Sequence, residues 1–242
     1  VDGHVIEGRP QGSRSTLTGL LRGLAQLGEA SRFQILCSNP VLCAERIGSG
    51  EFEYVKIPKS GSLYRLIVAL PFTLNKMRPS AVLWQYVSTP FFLKNNVVVI
   101  HDVLPYTHPH LFPVLFRLRC QILFFLSMLG AKKIITVSET AEKEICRLFP
   151  FFSNKIAVVP NGPSFSEEIY FEDEDTELQR THSYILAVGR VEQRKNIPLL
   201  VEAFKKAELT DVRLLIVGKR DLGFDFNPDE KENIFHLEGV DD

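Results

Sequence analysis

The sequence predicts an α/β protein built on parallel sheets, and three observations carry that prediction. Short runs of β-branched and apolar residues alternate with longer stretches of helical period. Gly, Pro, Asn or Ser joins each run to the next. The runs VVVI, IITV and LLIV are apolar throughout, as strands covered on both faces by helices must be.

In chain order, Val1 and Asp2 read as the last residues of a first strand, because a Gly-containing turn and a helix over residues 15–27 follow. Strands are predicted over 33–37, 54–57, 81–84, 97–100, 133–137 and 156–159, with helices over 63–76, 113–129 and 139–149. Seven acidic residues, Glu167, Glu168, Glu172, Asp173, Glu174, Asp175 and Glu177, then crowd together without a basic partner and read as a solvated linker over 166–182. Beyond it come strands over 184–188, 212–217 and 234–237 and a helix over 197–207. The expected division is therefore an N-terminal domain over 1–165, the linker, and a partial C-terminal domain over 183–242. Three strands and one clear helix are few for an independent domain.

Composition narrows the class. With 242 residues, 45% hydrophobic and 24% charged, the chain is an ordinary globular protein large enough for one large or two small domains. The longest uncharged stretch, 79–93, contains Gln85, Ser88, Thr89 and Pro90 and is too short and polar to cross a bilayer as a helix. Cys37, Cys43, Cys120 and Cys146 are scattered, which argues against a disulfide scaffold or zinc site. That cysteine usage fits a reducing, cytoplasmic setting, and Val1 to Gly3 carry no basic or apolar signal region. The near-zero net charge hides an asymmetry: residues 1–165 carry 18 Lys and Arg against 10 Asp and Glu, whereas residues 166–242 carry 10 against 19.

Ligands of open α/β sheets bind beyond the carboxyl ends of the strands, so the residues following each run are the candidates. Four places stand out. Residues 7–15 form a small-residue loop with Gly12 that leads into a helix, a place for an anion or a plain turn, matching no phosphate-loop signature. His101 and Asp102 follow VVVI and form a titratable pair able to bond a hydroxyl or stabilise charge. His108 and His110 read as ordinary loop residues, and Ser138 as an N-cap. The fourth place is richest. A strand ends at Gly189, the basic loop Arg190 to Lys195 follows, and Asn196 is positioned to cap a helix with Pro198 in its first turn. A forked guanidinium and a point ammonium there suit a diphosphate.

Together, GRVEQRKN, HDVLPYTHPHLF, AKKIITVSETAEKEI, VVPNG and LLIVGK resemble the retaining glycosyltransferases of family 4, in the family's order and over nearly the whole chain. The resemblance implies the GT-B type, two Rossmann-like parallel-sheet domains facing a cleft, the second one incomplete here. It implies donor diphosphate contacts from Arg190, Lys195 and Gly12, and a catalytic position for His101 beside the transferred sugar. Asp102, Ser138 and Asn161, the last in an interdomain NG turn with Gly162, would line the substrate cleft. The reaction implied is transfer of a hexosyl unit from a nucleotide-diphosphate sugar to a hydroxyl with retention, with no metal and no cofactor, in polysaccharide or glycolipid assembly.

Two departures qualify the match. Ser13-Arg14 stands where the family carries a second small residue. The family's downstream pair of Glu residues, separated by seven intervening residues, falls beyond residue 242, so the chain alone is expected to be inactive. A module that binds acceptor without catalysis is the alternative. An oxidoreductase is opposed by the lack of G-x-G-x-x-G after any strand. The basic N-terminal domain fits a saccharide or lipid-linked saccharide acceptor and peripheral contact with the inner face of a membrane. Arg117 and Arg119 beside Leu115, Leu118 and Ile122 fit an interfacial helix, although a core helix with two exposed arginines is the favoured reading. No basic-aromatic motif points to nucleic acid.

Overall fold

The computed structural model describes residues 1–8, 11–48, 50–90, 95–162, 183–220, 228 and 232–238. The expected linker, 166–182, lies outside them. The chain divides into two compact units, Val1–Glu168 and Ile169–Asp242.

The strands of the first unit are β1 (Gln34–Cys37), β2 (Glu53–Lys56), β3 (Val82–Gln85), β4 (Asn96–Ile100), β5 (Ala131–Thr136) and β6 (Ile156–Val158). All strand pairs are parallel: β1 with β2, then β3, β4, β5 and β6 in sequence. The N-terminal segment joins the two sets. Asp2 bridges Leu36 of β1 in parallel, and its N–H donates to the Leu83 carbonyl of β3 at 3.0 Å. The order is thus β2, β1, residues 1–3, β3, β4, β5, β6. Chain direction across the sheet reverses at residues 1–3, which makes this the topological switch point.

Strand alternation sorts the core into two layers. Ile35 and Cys37 pack with Ile6, Leu17, Leu21 and Ile47, from helices α1 (His4–Glu7), α2 (Gly12–Gln26) and α3 (Pro40–Ile47). Leu36, Trp84, Val98, Ile100 and Ile134 pack with Leu70, Met128 and Ile145 instead. These come from α4 (residues 62–77), α6 (Val114–Gly130) and α7 (Glu139–Leu148), while α5 (Leu104–Thr107) is a single turn after β4. The Trp84 indole donates to the Asn96 side chain at 3.0 Å, so neither buried polar group is stranded.

Helix α4 contains a π turn at Arg65–Ala69. Pro71 explains it: its ring cannot donate an i→i−4 bond, and a widened turn accommodates the missing N–H. The turn brings Arg65 into the core, where it is 9% exposed.

Helix α6 departs from the favoured core-helix reading. Phe124, Ser127 and Met128 are buried, but Leu115, Leu118, Ile122, Leu126 and Leu129 are all exposed. An apolar sequence on every side predicts burial. Here only one side is covered by the sheet, and a second apolar stripe faces outward.

In the second unit β7 (Ser183–Val188), β8 (Val212–Val217) and β9 (Ile234–Leu237) form a parallel sheet in that order, with α8 (Ile197–Lys206) following β7. Val191, Ile197, Phe204, Leu214, Ile216 and Ile234 make its core.

Candidate functional site

Because the sheets are parallel, every strand's following residues gather at one edge, and the predicted residues divide between the edges of the two units.

In the first unit His101 and Asp102 follow β4 and meet residues that follow β3. His101 Nε2 lies 2.8 Å from Gln85 Oε1, and Gln85 is 3% exposed. A buried amide oxygen there accepts Nε2–H, which puts the proton-free nitrogen at Nδ1. Burial lowers the His101 pKa below its ordinary value, against the opposing pull of Asp102, so the ring stays neutral at neutral pH. Tyr86 packs at 5.2 Å from His101 and stacks at 5.1 Å on Phe124. Its hydroxyl donates to Asp102 Oδ2 at 3.2 Å, while Asp102 Oδ1 accepts the Leu104 N–H at 3.2 Å. Tyr86 holds φ at +61°, a conformation costing a bulky side chain about 1–3 kcal/mol. The strain sits where the ring must pin both His101 and Asp102. Gln85 and Tyr86 were not singled out by sequence, since WQY reads as a strand tail.

A second cluster stands at the switch point and was also missed. Asp2 is fully buried, with Arg65 Nη1 at 2.8 and 2.6 Å from its two oxygens and His4 Nδ1 at 3.0 Å. Burial alone would raise the Asp2 pKa, but His4 and Arg65 outweigh it and hold the carboxyl well below the usual carboxylate range. Arg65 is 63 residues away in the chain, beyond any local pattern.

Ser138 is an N-cap as predicted: its hydroxyl accepts the Ala141 N–H at 3.2 Å, with Glu139 and Glu142 in the first turn of α7. It follows β5, as Asn161 follows β6 on the same edge, exposed. Gly12 lies one step inside the helix rather than in a loop before residue 15. A Cβ added there meets nothing within 4 Å, so packing within the described residues does not demand a glycine. The rings of His108 and His110 lie edge to face at 6.1 Å.

In the second unit Arg190 and Lys195 sit beyond β7, both exposed. A Cβ built on Gly189 would stand 3.9 Å from Lys195 Cε, so the lysine stem folds back over the strand end. Gly189 and Gly218, at the ends of β7 and β8, have φ of +141° and +145°. A Cβ on Gly218 would lie 2.1 Å from the Gly189 carbonyl oxygen. This close approach lets Val191 bridge Arg220 in parallel beyond the sheet proper and donate its N–H to the Lys219 carbonyl at 3.0 Å, which sets Lys219 and Arg220 beside the residue that follows Arg190. His236 Nε2 donates to the Gly218 carbonyl at 2.8 Å, and its Nδ1 faces Arg220 Nη2 at 3.3 Å. Asn196 departs from the predicted cap: it is left-handed, φ +50°, and its side chain makes no capping bond. A groove of about 400 Å³ bounded by Phe204, Thr210, Glu232 and Asn233 lies at the amino ends of β8 and β9, on the opposite edge from these basic residues.

No protein-family model matches the chain. It is 30% identical over 132 residues to the O-antigen chain mannosyltransferase RfbU of Salmonella typhimurium, covering 53% of this chain and 34% of that protein. It is 31% identical over 108 residues to an uncharacterized glycosyltransferase of Methanocaldococcus jannaschii, covering 40% and 27%. The matched stretches thus span about a third or less of these relatives. Among solved structures, HepE of Anabaena in complex with UDP and glucose aligns with a TM-score of 0.64 at 15% identity, over 96% of this chain and 66% of that one. The UDP-N-acetylglucosamine 2-epimerase of Rickettsia bellii aligns at 0.55 and 13%, over 93% and 66%. The solved structures establish a GT-B-type α/β fold with Rossmann-like units, and the sequence relatives are glycosyltransferases.

Proposed function

We propose that the chain belongs to a retaining glycosyltransferase of family 4 type that moves a hexosyl unit from a nucleotide-diphosphate sugar to a saccharide or lipid-linked saccharide hydroxyl, in polysaccharide or glycolipid assembly. The observation that carries this reading is the basic edge of the second unit, where Arg190 and Lys195 stand at the carboxyl end of β7 beside the Gly189–Gly218 contact, in a chain similar to two glycosyltransferases. A nucleotide sugar is the donor that fits this chemistry, as HepE holds UDP and glucose.

In this reading the Arg190 guanidinium and Lys195 ammonium neutralise the charge that develops on the departing diphosphate, the main electrostatic task of the step. Neither a metal nor a cofactor is called for. Gly12 lets the backbone approach the phosphates without a side chain in the way. The neutral His101 ring, fixed by Gln85 and Tyr86, contacts the transferred sugar. Asp102, Ser138 and Asn161 mark the strand-end row beside it.

Transfer assays on the protein carrying this chain, with UDP- and GDP-hexoses, test the assignment. Changing His101 to Ala is expected to lower kcat about 100-fold or more while leaving nucleoside diphosphate affinity within about twofold. The product's anomeric configuration, read by NMR, should match the donor's. Unchanged kcat would remove His101 from the site, and an inverted product would remove retention.

A further inference from the structure

We infer that His4, at the switch point of the first unit, is a specificity-determining residue whose ring accepts a hydrogen bond from a saccharide hydroxyl; taking that saccharide as the acceptor rests on the function proposed above. The Asp2 carboxylate beside it is saturated from within the chain. Arg65 Nη1 stands 2.8 and 2.6 Å from its two oxygens, the His4 backbone N–H donates to Oδ1 at 3.3 Å, and His4 Nδ1 lies 3.0 Å from Oδ2. A fully buried carboxylate with its bonds taken has nothing left for a ligand, and its effect is to fix the His4 ring. Held ionised by His4 and Arg65, it only accepts, so Nδ1 carries the ring proton and Nε2 of the neutral imidazole is left as a bare acceptor. The ring is 34% exposed, and Nε2 has no partner among the described residues. An apolar pair in place of Asp2 and Arg65 would hold a core about as well. Only the charged pair sets an imidazole in one tautomer at the carboxyl edge of the sheet, where ligands of open α/β sheets bind.

His101 supplies the second nitrogen of this edge. Residues 1–3, β3 and β4 are neighbours in the sheet, so His4 and His101 follow strands two places apart, about 10 Å at the backbone. Gln85 takes the Nε2–H of His101 and leaves Nδ1 proton-free, whereas Asp2 takes the Nδ1–H of His4 and leaves Nε2. The two rings thus hold opposite tautomers, and each presents an acceptor. Such nitrogens match the O–H groups of a sugar and give nothing to a phosphate or carboxylate oxygen, which only accepts. With His101 at the transferred sugar, a hydroxyl held by His4 belongs to the acceptor sugar placed beside it.

Nitrogen-15 NMR of the histidine rings, recorded on the chain at a pH where both are neutral, tests the contact. His4 is expected to carry its proton on Nδ1 and His101 on Nε2. Titration with the methyl glycosides of mannose, glucose and galactose should move the His4 Nε2 resonance for at least one of them, while inorganic phosphate leaves it in place. His4→Phe keeps the ring and removes both nitrogens, and should weaken binding of that glycoside about tenfold or more. His4→Gln should restore part of the affinity, because its amide donates to Asp2 and its oxygen accepts a hydroxyl. A His4 ring protonated on Nε2 would overturn the proposal, as would a resonance that no glycoside moves or that phosphate moves, or glycoside affinity unchanged in His4→Phe. Nucleoside diphosphate affinity of a longer protein containing the chain should stay within about twofold in both variants. A glycoside bound at His4 with no nucleotide bound would defeat the donor reading and leave the contact standing, and nucleotide binding with no glycoside shift would do the reverse.

Discussion

Replacing Gly218 by alanine is expected to remove the cooperative folding of the second unit. A methyl group there would stand 2.1 Å from the Gly189 carbonyl oxygen and 2.7 Å from its carbonyl carbon, both backbone atoms with no flexible end to move aside. The φ of +145° adds about 1–3 kcal/mol for any L side chain. Relief requires β7 and β8 to separate at their carboxyl ends, breaking the Gly189 N–H bond to the Val217 carbonyl and the Val217 pairing with Val188. The small core of this unit has little stability to lose. Amide exchange should show β7, β8 and β9 losing protection together, while β3 to β5 keep theirs. An alanine variant with native protection throughout would show that the strand ends do not approach as closely as described.

The second large effect is expected in the first unit, on changing Arg65 to Met. Asp2 is fully buried and the Arg65 side chain 11% exposed, so the change leaves a desolvated carboxylate without its guanidinium, with His4 Nδ1 still within 3.0 Å. Breaking a buried pair from one side costs about 3–5 kcal/mol, whereas replacing both partners by apolar groups is closer to neutral. Unfolding of the single variant should therefore shift to markedly lower denaturant, and Asp2→Leu with Arg65→Met should recover much of the loss. The pH dependence has a defined sign. Because the folded Asp2 pKa is depressed, its contribution is fully present above the ordinary carboxylate range and is lost as pH falls through and below it. In the single variant that acid sensitivity should shrink. Equal stability of Arg65→Met and the parent would contradict the buried pair.

All nine strands among the described residues lie where apolar runs and turn residues place them, within about two residues, because buried parallel strands leave a strong local pattern. The first-strand reading of Val1 and Asp2 also holds, as the bridge to Leu36 shows. The helix Pro40–Ile47 was missed although its start was signalled: Asn39 accepts the Leu42 N–H at 3.2 Å, and Pro40 follows at the first position. Its eight residues are too few for periodicity to show.

The site was legible in part for the same reason. His101, Asp102 and Arg190 were proposed because they closely follow strands, and Lys195 because it shares a basic loop with Arg190. Gln85 and Tyr86 were not, since their importance comes from a left-handed turn that periodicity does not encode. Asp2, His4 and Arg65 meet across the fold, and Arg65 is aimed inward by the π turn before Pro71. The outward stripe of α6 was misread because an all-round apolar helix looks the same in sequence whether two sides are covered or one.

Calorimetric titration of UDP, GDP and their sugars into the chain, into a longer protein containing it, and into Arg190→Ala and Lys195→Ala variants of each tests the central claim most directly. The account predicts binding of one nucleoside diphosphate by the longer protein, weakened about tenfold or more in each variant. Affinity indifferent to both substitutions, or binding of none of these ligands, would contradict the assignment of the donor diphosphate to the carboxyl end of β7.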